Sequence, residues 1–430
     1  MKRFLICVLF FIALRYTYAE HAQQRTQDER AVTINITAKQ NAKMQILIAP
    51  LSEDENLAKT TKALMYDLQV SGQFNPKIQK LEKPNSKKVM KELWAAGYPF
   101  VIFLDNNSWR LYDTGMAQII SAKKIELEKG IHNTLIGHKI ADQLWPILTG
   151  KKSSFSCIMV ACKTIDKNRK YIYAFHLSDF LDKDKLPKLI VNSPTLNIAP
   201  RWHSTKPLLY FSQHTPTNVR LVAIDRNKKQ RIVTNFDGLN MTPSISENGS
   251  IVISLTKNGF GRLCKYNFDE KRKKGVFKAI TASHIHAISP SFINENEIVF
   301  CHIKNGVPRI AKIDLNTKVI EYITDSYSVC PTYSKINNSI AYCKRVDGVS
   351  QVFAYNLSDK KHKQLTSNSG DKDECCWSPC GNFIVFTSDN GKSLRTCVLN
   401  MLNNEIVPVS PLGENWSFPS WAPDYDMQVF

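Results

Sequence analysis

Beyond its first twenty residues the chain has no apolar run of the roughly 20 residues that a membrane-spanning helix requires, which excludes a helical membrane protein. It contains no G-x-S-x-G pentapeptide, no H-E-x-x-H and no glycine-rich phosphate loop. The usual sequence evidence for a serine hydrolase, a zinc protease or a nucleotide-binding enzyme is therefore missing. Cysteine is absent between Cys7 and Cys157, and ten of the eleven cysteines fall from Cys157 to Cys397. Cys375, Cys376 and Cys380 lie close together, but they form no paired C-x-x-C array and no histidine stands at zinc-like spacing, so no metal is expected. Most of the other cysteines sit in strand-like runs, where cysteine acts as a small buried hydrophobe. Disulfides would be permitted in an exported chain, but one of this size does not depend on them.

Acidic residues are scarce: 38 Asp and Glu stand against 57 Lys and Arg, for a formal charge of +19. The N-terminus shows where that charge is displayed. Lys2 and Arg3 precede an apolar run from Phe4 to Leu14, and Thr17-Tyr18-Ala19 follows. A charged start, a short apolar core and a small-residue exit predict a secretory signal peptide over residues 1–19, cleaved after Ala19. Cys7 lies inside the apolar core rather than at its exit, so no lipid-modified N-terminus is indicated. Losing Lys2, Arg3 and Arg15 leaves about +16 on the exported chain. That excess suits acidic partners or an anionic surface, and export argues against nucleic acid. The densest basic runs, Arg226 to Arg231 and Lys271 to Lys274, read as solvated turns.

From residue 150 onward one pattern returns. It begins with Pro and a short β-prone run: Pro200-Arg201-Trp202, Pro243-Ser244-Ile245, Pro290-Ser291-Phe292, Pro331-Thr332-Tyr333, Cys375-Cys376-Trp377 (with Cys375 in the proline place) and Pro419-Ser420-Trp421. Successive anchors lie 43, 47, 41, 44 and 44 residues apart, a period typical of propeller blades. Each anchor leads through a turn to an apolar strand, then often an Asn-Gly or Asp-Gly loop, then an alternating strand such as Gln351 to Leu357. Each copy reads as four short antiparallel strands. Residues Phe155 to Val191 hold three strand patterns without an anchor, and Pro419 to Trp421 an anchor with nothing after it. A C-terminal strand completing the first blade gives six whole blades and leaves no open edge.

The region before the repeats differs. Residues 20–31 are polar and read as a flexible segment. A strand Gln45 to Pro50 precedes a helix from about Ser52 to Val70; further strands are expected over Pro99 to Leu104 and Trp109 to Tyr112. A second helix is expected from Ile131 to Trp145, stopped or kinked by Pro146. The fold class is thus an α/β N-terminal domain, residues 32–152, followed by an all-β six-bladed propeller, residues 153–430, closed by a C-terminal strand.

Signal peptide, α/β domain and repeats similar to P-x-W-S-P-D-G together resemble the TolB family. Asp67-Leu68 with Ser71-Gly72-Gln73-Phe74, Trp94 with Gly97, and His138-Lys139-Ile140-Ala141-Asp142 before Leu148-Thr149-Gly150 add to the likeness. The resemblance implies a periplasmic, non-enzymatic member of the Tol-Pal system without a cofactor. It implies a propeller that binds the peptidoglycan-associated lipoprotein Pal, a leading segment that engages the inner-membrane protein TolA, and a role in outer-membrane integrity and cell division.

In a propeller, loops entering the innermost strands share one face with the loops between the second and third strands. That geometry nominates Asn197, Met241, His286, Asp347, Glu374 and Trp416 as partner-binding residues, with Glu20, His21, Arg25 and Arg30 in the leading segment. Trp416 is the expected anchor. His284 and His286 read as solvent-facing or capping, and His138 as bonded to Asp142 one helical turn on. Trp202, Trp377, Trp421, Phe292 and Tyr333 recur at one blade position and read as core. A glycan or small molecule in the central channel, or a degenerate propeller cap of a hydrolase family without its catalytic domain, is the alternative.

Overall fold

A computed structural model describes residues 43–423, apart from 82–85, 107, 126–131, 183–186, 258 and 270–273. The signal peptide, the four nominated residues Glu20, His21, Arg25 and Arg30, and most of the run Lys271 to Lys274 lie outside the described residues.

The N-terminal unit is one sheet flanked by helices. In chain order it runs β1 Met44–Pro50, α1 Glu55–Val70, β2 Phe74–Ile78, α2 Lys87–Ala95, β3 Phe100–Asp105, β4 Ser108–Asp113, β5 Gln118–Lys124 and α3 Asn133–Thr149. The strands order β2-β1-β3-β4-β5, with β1 parallel to both neighbours and β3, β4 and β5 antiparallel. α1 begins at Glu55 because the Asp54 carboxylate accepts from the Asn56 and Leu57 amides, at 2.9 and 3.1 Å. α1 and α3 pack unusually close: a Cβ on Gly137 would stand 2.4 Å from the Thr60 carbonyl oxygen.

Pro146 neither stops nor ends α3, which continues to Thr149 and closes on Gly150 in the left-handed region, φ 69°. A proline removes the amide that the carbonyl four residues earlier would accept. Here that carbonyl, on Asp142, accepts the Ser153 hydroxyl at 3.4 Å. Trp145 and Leu148, both fully buried, hold the last turn against the core while Pro146 faces solvent. β2, α2 and β5 carried too little apolar pattern to be read from the sequence; only Met90 and Leu93 of α2 are buried.

Six four-stranded blades follow. Five are consecutive, with inner strands Leu196–Trp202, Leu239–Ile245, His286–Asn294, Ser328–Ser334 and Asp371–Trp377 (blades 2 to 6). Blade 1 takes its inner strand, Trp416–Trp421, from the far end of the chain, paired antiparallel with Met159–Asp166. The ring therefore closes as the repeat count requires.

Every inner strand carries the same irregularity. Its register slips beside the anchor, and the residue just before the anchor has positive φ: Ala199 (50°), Thr242 (47°), Ser289 (51°), Cys330 (55°), Glu374 (58°) and Phe418 (53°). None is glycine, although this region costs other residues roughly 1–2 kcal/mol. These are six β-bulges in phase, and they re-aim the backbone where the strands converge on the axis.

The N-terminal unit seats against blades 1 and 6, on the side of the turns that follow the anchors. Trp145, Phe155 and Phe383 form a chain of ring contacts at 5.4 and 6.1 Å. The Asn400 amide donates to the Ser71 carbonyl, the Cys380 amide donates to Ser154 Oγ at 2.9 Å, and Lys62 pairs with Asp182 at 2.6 Å. At the centre of this seat lies His138, fully buried. It does not bond Asp142. Its Nδ1 meets Asp67 of α1 at 2.6 Å, its Nε2 lies 3.7 Å from Asp179 of blade 1, and its ring stacks on His176 at 4.4 Å. Asp142 instead accepts the Phe155 and Ser156 amides, at 2.8 and 2.9 Å, and so fixes the linker into the propeller.

Candidate partner-binding face

The propeller's opposite face, formed by the loops entering the inner strands, is free of the N-terminal unit. Its organisation follows from two positions in each repeat. Three residues before each anchor stand Asn197, Asn240, Ala287, Ser328, Lys372 and Trp416, each at most 1% exposed. Asn197 Nδ2 donates toward the carbonyls of Lys170, Ser193 and Thr195, at 2.8 to 3.3 Å. Asn240 does the same one blade on, toward Val219, Phe236 and Gly238. The Lys372 ammonium meets the carbonyls of Asn368, Ser369 and Gly370, each at 2.6 Å, and burial holds its pKa below the usual lysine value. These side chains turn the loop back on itself and satisfy carbonyls that would otherwise be orphaned.

Trp416 occupies the same position and is no surface anchor. Its ring packs on Tyr173, Phe180 and Phe175 at 5.3, 5.4 and 5.9 Å, its Nε1 donates to Glu414 at 3.0 Å, and it is 1% exposed. Asn197 is likewise fully buried. Both nominations are corrected: the position three before the anchor faces inward, between blades. Trp416→Ala should cost about 3–5 kcal/mol of stability, as for other buried tryptophans. Thermal unfolding checks it; an unchanged midpoint would return Trp416 to the surface.

The other nominated residues lie on or in this face. Met241 and Glu374 line the central channel, a cavity of about 360 Å³ into which all six bulges open. The Glu374 carboxylate accepts from Thr387 Oγ1 and the Phe418 amide, both at 2.6 Å, and burial raises its pKa. His286 is half-buried with its ring 5.8 Å from Phe260, and Asp347 is exposed in a tight turn with φ 49°. His284 is exposed. Trp202, Trp377 and Trp421 are buried to 6%, 7% and 4% exposure, and Trp421 stacks on Phe383 at 6.0 Å, as core packing requires.

The structure adds residues that were not nominated. Phe236, Leu239, Phe260, Tyr327 and Leu412 are 44%, 40%, 56%, 37% and 65% exposed, all in loops or at the first residue of a strand on this one face. They give the loop face an exposed apolar rim. The available signal was position: large apolar residues in the polar loops just before an anchor or between the second and third strands. A rim of exposed aromatic and aliphatic side chains is what protein interfaces enrich.

Among the described residues, only His138, His176 and Asp179 bring metal-ligating atoms together, within 4.8 Å. Burial opposes the charge on His138, but the Asp67 and Asp179 carboxylates overcome it and raise its pKa to about 9. A protonated imidazole between two carboxylates is an ion-pair network, which accounts for these residues without a metal. All ten described cysteines are free thiols, eight of them buried.

A small α/β unit seated on one side of a six-bladed propeller, with the loops entering the inner strands on the other side, makes this a two-domain β-propeller protein. Residues 145–423 match the TolB beta propeller domain family, PD40, and the chain belongs to that family. It is 23% identical over 346 residues to the Tol-Pal system protein TolB of Francisella tularensis subsp. tularensis, covering 74% of this chain and 77% of that one. The fold matches the crystal structure of TolB from Acinetobacter baumannii with a TM-score of 0.76 and 19% identity, over 91% of this chain and all of the other. Part of the Kuenenia stuttgartiensis hydrazine synthase also matches (TM-score 0.52, 12% identity, 62% of this chain and 46% of that one), which shows that the propeller by itself does not fix a function. Among the described residues no helix is long and apolar enough to cross a membrane.

Proposed function

We propose that this protein is an exported, periplasmic, non-enzymatic component of a Tol-Pal system, and that its loop face binds Pal. The observation that carries the reading is the set of exposed apolar residues Phe236, Leu239, Phe260, Tyr327 and Leu412 on the loop face. Met241 and Glu374 line the channel, His286 lies 5.8 Å from Phe260, and Asp347 is exposed in the loop between the second and third strands of blade 5. The leading segment, with Glu20, His21, Arg25 and Arg30, is the proposed contact for TolA, so that the protein links inner- and outer-membrane partners in maintaining the outer membrane and supporting division.

Calorimetric titration of the chain from Glu20 with the soluble domain of its own organism's Pal tests this. Binding at micromolar or tighter affinity is expected, weakened at least tenfold by Phe260→Ala combined with Leu239→Ser, with the melting temperature unchanged. Exposed side chains supply contact area to a partner but little to the fold, which separates the two readouts. No binding by a folded propeller, or binding indifferent to the rim, would overturn the assignment. The same titration with TolA, comparing chains that begin at Glu20 and at Lys43, tests the leading segment.

A further inference from the structure

Between blades 4 and 5, reaching to the outermost strand of each, lies a second cavity of about 640 Å³. Lys304 enters it from the end of the second strand of blade 4, Arg309 from the start of the third, and Lys344 from the second strand of blade 5. Tyr322 and His362 form walls, and Ile323 and Thr324 the buried floor. Asp325 is the one carboxylate in the lining.

Some cations of the propeller are held in ion pairs. Lys312 lies between Glu297 and Glu321, at 3.3 and 3.2 Å, Lys335 pairs with Glu247 at 2.8 Å and Lys163 with Glu414 at 2.7 Å. Among the described residues, Lys304, Arg309 and Lys344 have no ion-pair partner. They are nevertheless held in place. Lys304 Nζ sits 5.2 Å over the Tyr322 ring, Lys344 Nζ lies 5.8 Å from the Phe353 ring centre, and Arg309 Nε donates to the Asp325 carbonyl at 2.9 Å. Two tyrosines fix the neighbouring imidazoles: Tyr322 holds His302 and Tyr342 holds His362, each at 2.8 Å. Burial and then the nearby cations depress the pKa of both histidines, through Lys304 and Arg309 at His302 and through Lys344 at His362, where Asp325 acts in the opposite sense. Three cations face one carboxylate, Asp325, so the cleft carries a net positive charge.

We propose that this cleft is an anion site for a phosphate ester, carried on a saccharide that lies along the tyrosine and imidazole walls. The chemistry follows from the donors. Two ammonium groups and a guanidinium converging from three strands suit the several oxygens and double charge of a phosphoryl group, better than a single carboxylate. Exposed aromatic rings beside the cations suit the apolar face of a sugar. A concave site also favours a small ligand over a flat protein surface. None of the residues proposed to contact Pal lines this cleft.

Titration calorimetry of the whole exported chain with glucose 6-phosphate, inorganic phosphate, glucose and hexaglutamate tests it. Glucose 6-phosphate should bind with submillimolar affinity, glucose should not, and raising the salt concentration should weaken the binding. Tighter binding of the sugar phosphate than of inorganic phosphate assigns the saccharide; equal binding overturns that half of the proposal and leaves the phosphate. Lys304→Ala with Lys344→Ala should reduce affinity at least tenfold while melting temperature and Pal affinity stay as in the parent. The site is overturned if neither phosphate compound binds, or if binding survives the double substitution. Preference for hexaglutamate would also overturn it, in favour of an acidic protein contact.

Discussion

Ending the chain after Asn415 should unfold the entire propeller, not merely fray its last blade. The strand Trp416–Trp421 is the inner strand of blade 1, pairing Trp416 with Lys163, Ser417 with Cys162, Ser420 with Val160 and Trp421 with Met159. It buries Trp416, Trp421 and Ala422, and the Phe418 amide bonds Glu374 across the junction with blade 6. Removing two buried tryptophans alone costs about 3–5 kcal/mol each, against a total stability of about 5–15 kcal/mol for a typical domain. The loss also opens the ring and exposes the edge of Met159–Asp166, an invitation to aggregate. Loss of the cooperative thermal transition and elution as aggregate in size-exclusion chromatography are expected. A truncated chain that melts as the parent does would show that the ring is not closed by this strand.

The second large effect is a loss of stability at alkaline pH, located at the seat between the two domains. His138 has a pKa of about 9 in the folded protein against an ordinary value of 6.5, because the Asp67 and Asp179 carboxylates outweigh the cost of burying its charge. A pKa raised on folding contributes stability that is complete below the unfolded value and disappears as pH rises through the folded one. The window is therefore about pH 6.5 to 9, and a shift of that size corresponds to about 3 kcal/mol. Deprotonation leaves Asp67 and Asp179 facing a neutral ring, although Ser178 Oγ still bonds Asp67 at 2.7 Å. Melting temperatures measured from pH 6 to 10 should fall for the parent. His138→Gln should be less stable at pH 7 and much flatter across the window. Parallel curves for the two proteins would assign the alkaline loss to other groups.

The blades were legible because the signal repeats. A single anchor tripeptide means little, but six in register at blade spacing, four of them Pro-x-aromatic, encode strand order, strand count and closure. The N-terminal unit has no repeat to average over. Its apolar strands β1 and β3 and its long helices α1 and α3 were visible, whereas α2 and β5, which bury few side chains, were not. Pro146 misled because the replacement donor, Ser153, comes from beyond the helix, and no local rule includes it.

The candidate site was half legible. Loop position along the repeat located the face opposite the N-terminal unit, since chain order in a blade dictates which turns share an end. Whether a given loop side chain points outward depends on the bulge beside each anchor and on the carbonyls needing a donor, and neither appears in residue type. Asn197 and Trp416 look like recognition residues in sequence, yet they are buried for the same reason as Lys372: each occupies the inward position three before the anchor. The pairing of His138 with Asp67, 71 residues away, could not be read from the helix that holds it.

The sequence by itself determined the class of fold, the number of blades, their closure by the last strand and the family, because periodic hydrophobic pattern and turn chemistry are local and recur. Only the tertiary structure decided which side chains reach solvent, that Asp67 and Asp179 raise the pKa of His138 between the two domains, and that three cations without an ion-pair partner among the described residues line one cleft. Those outcomes depend on groups brought together from distant blades and helices, where burial and Coulomb energy are set by neighbours that the linear order does not name.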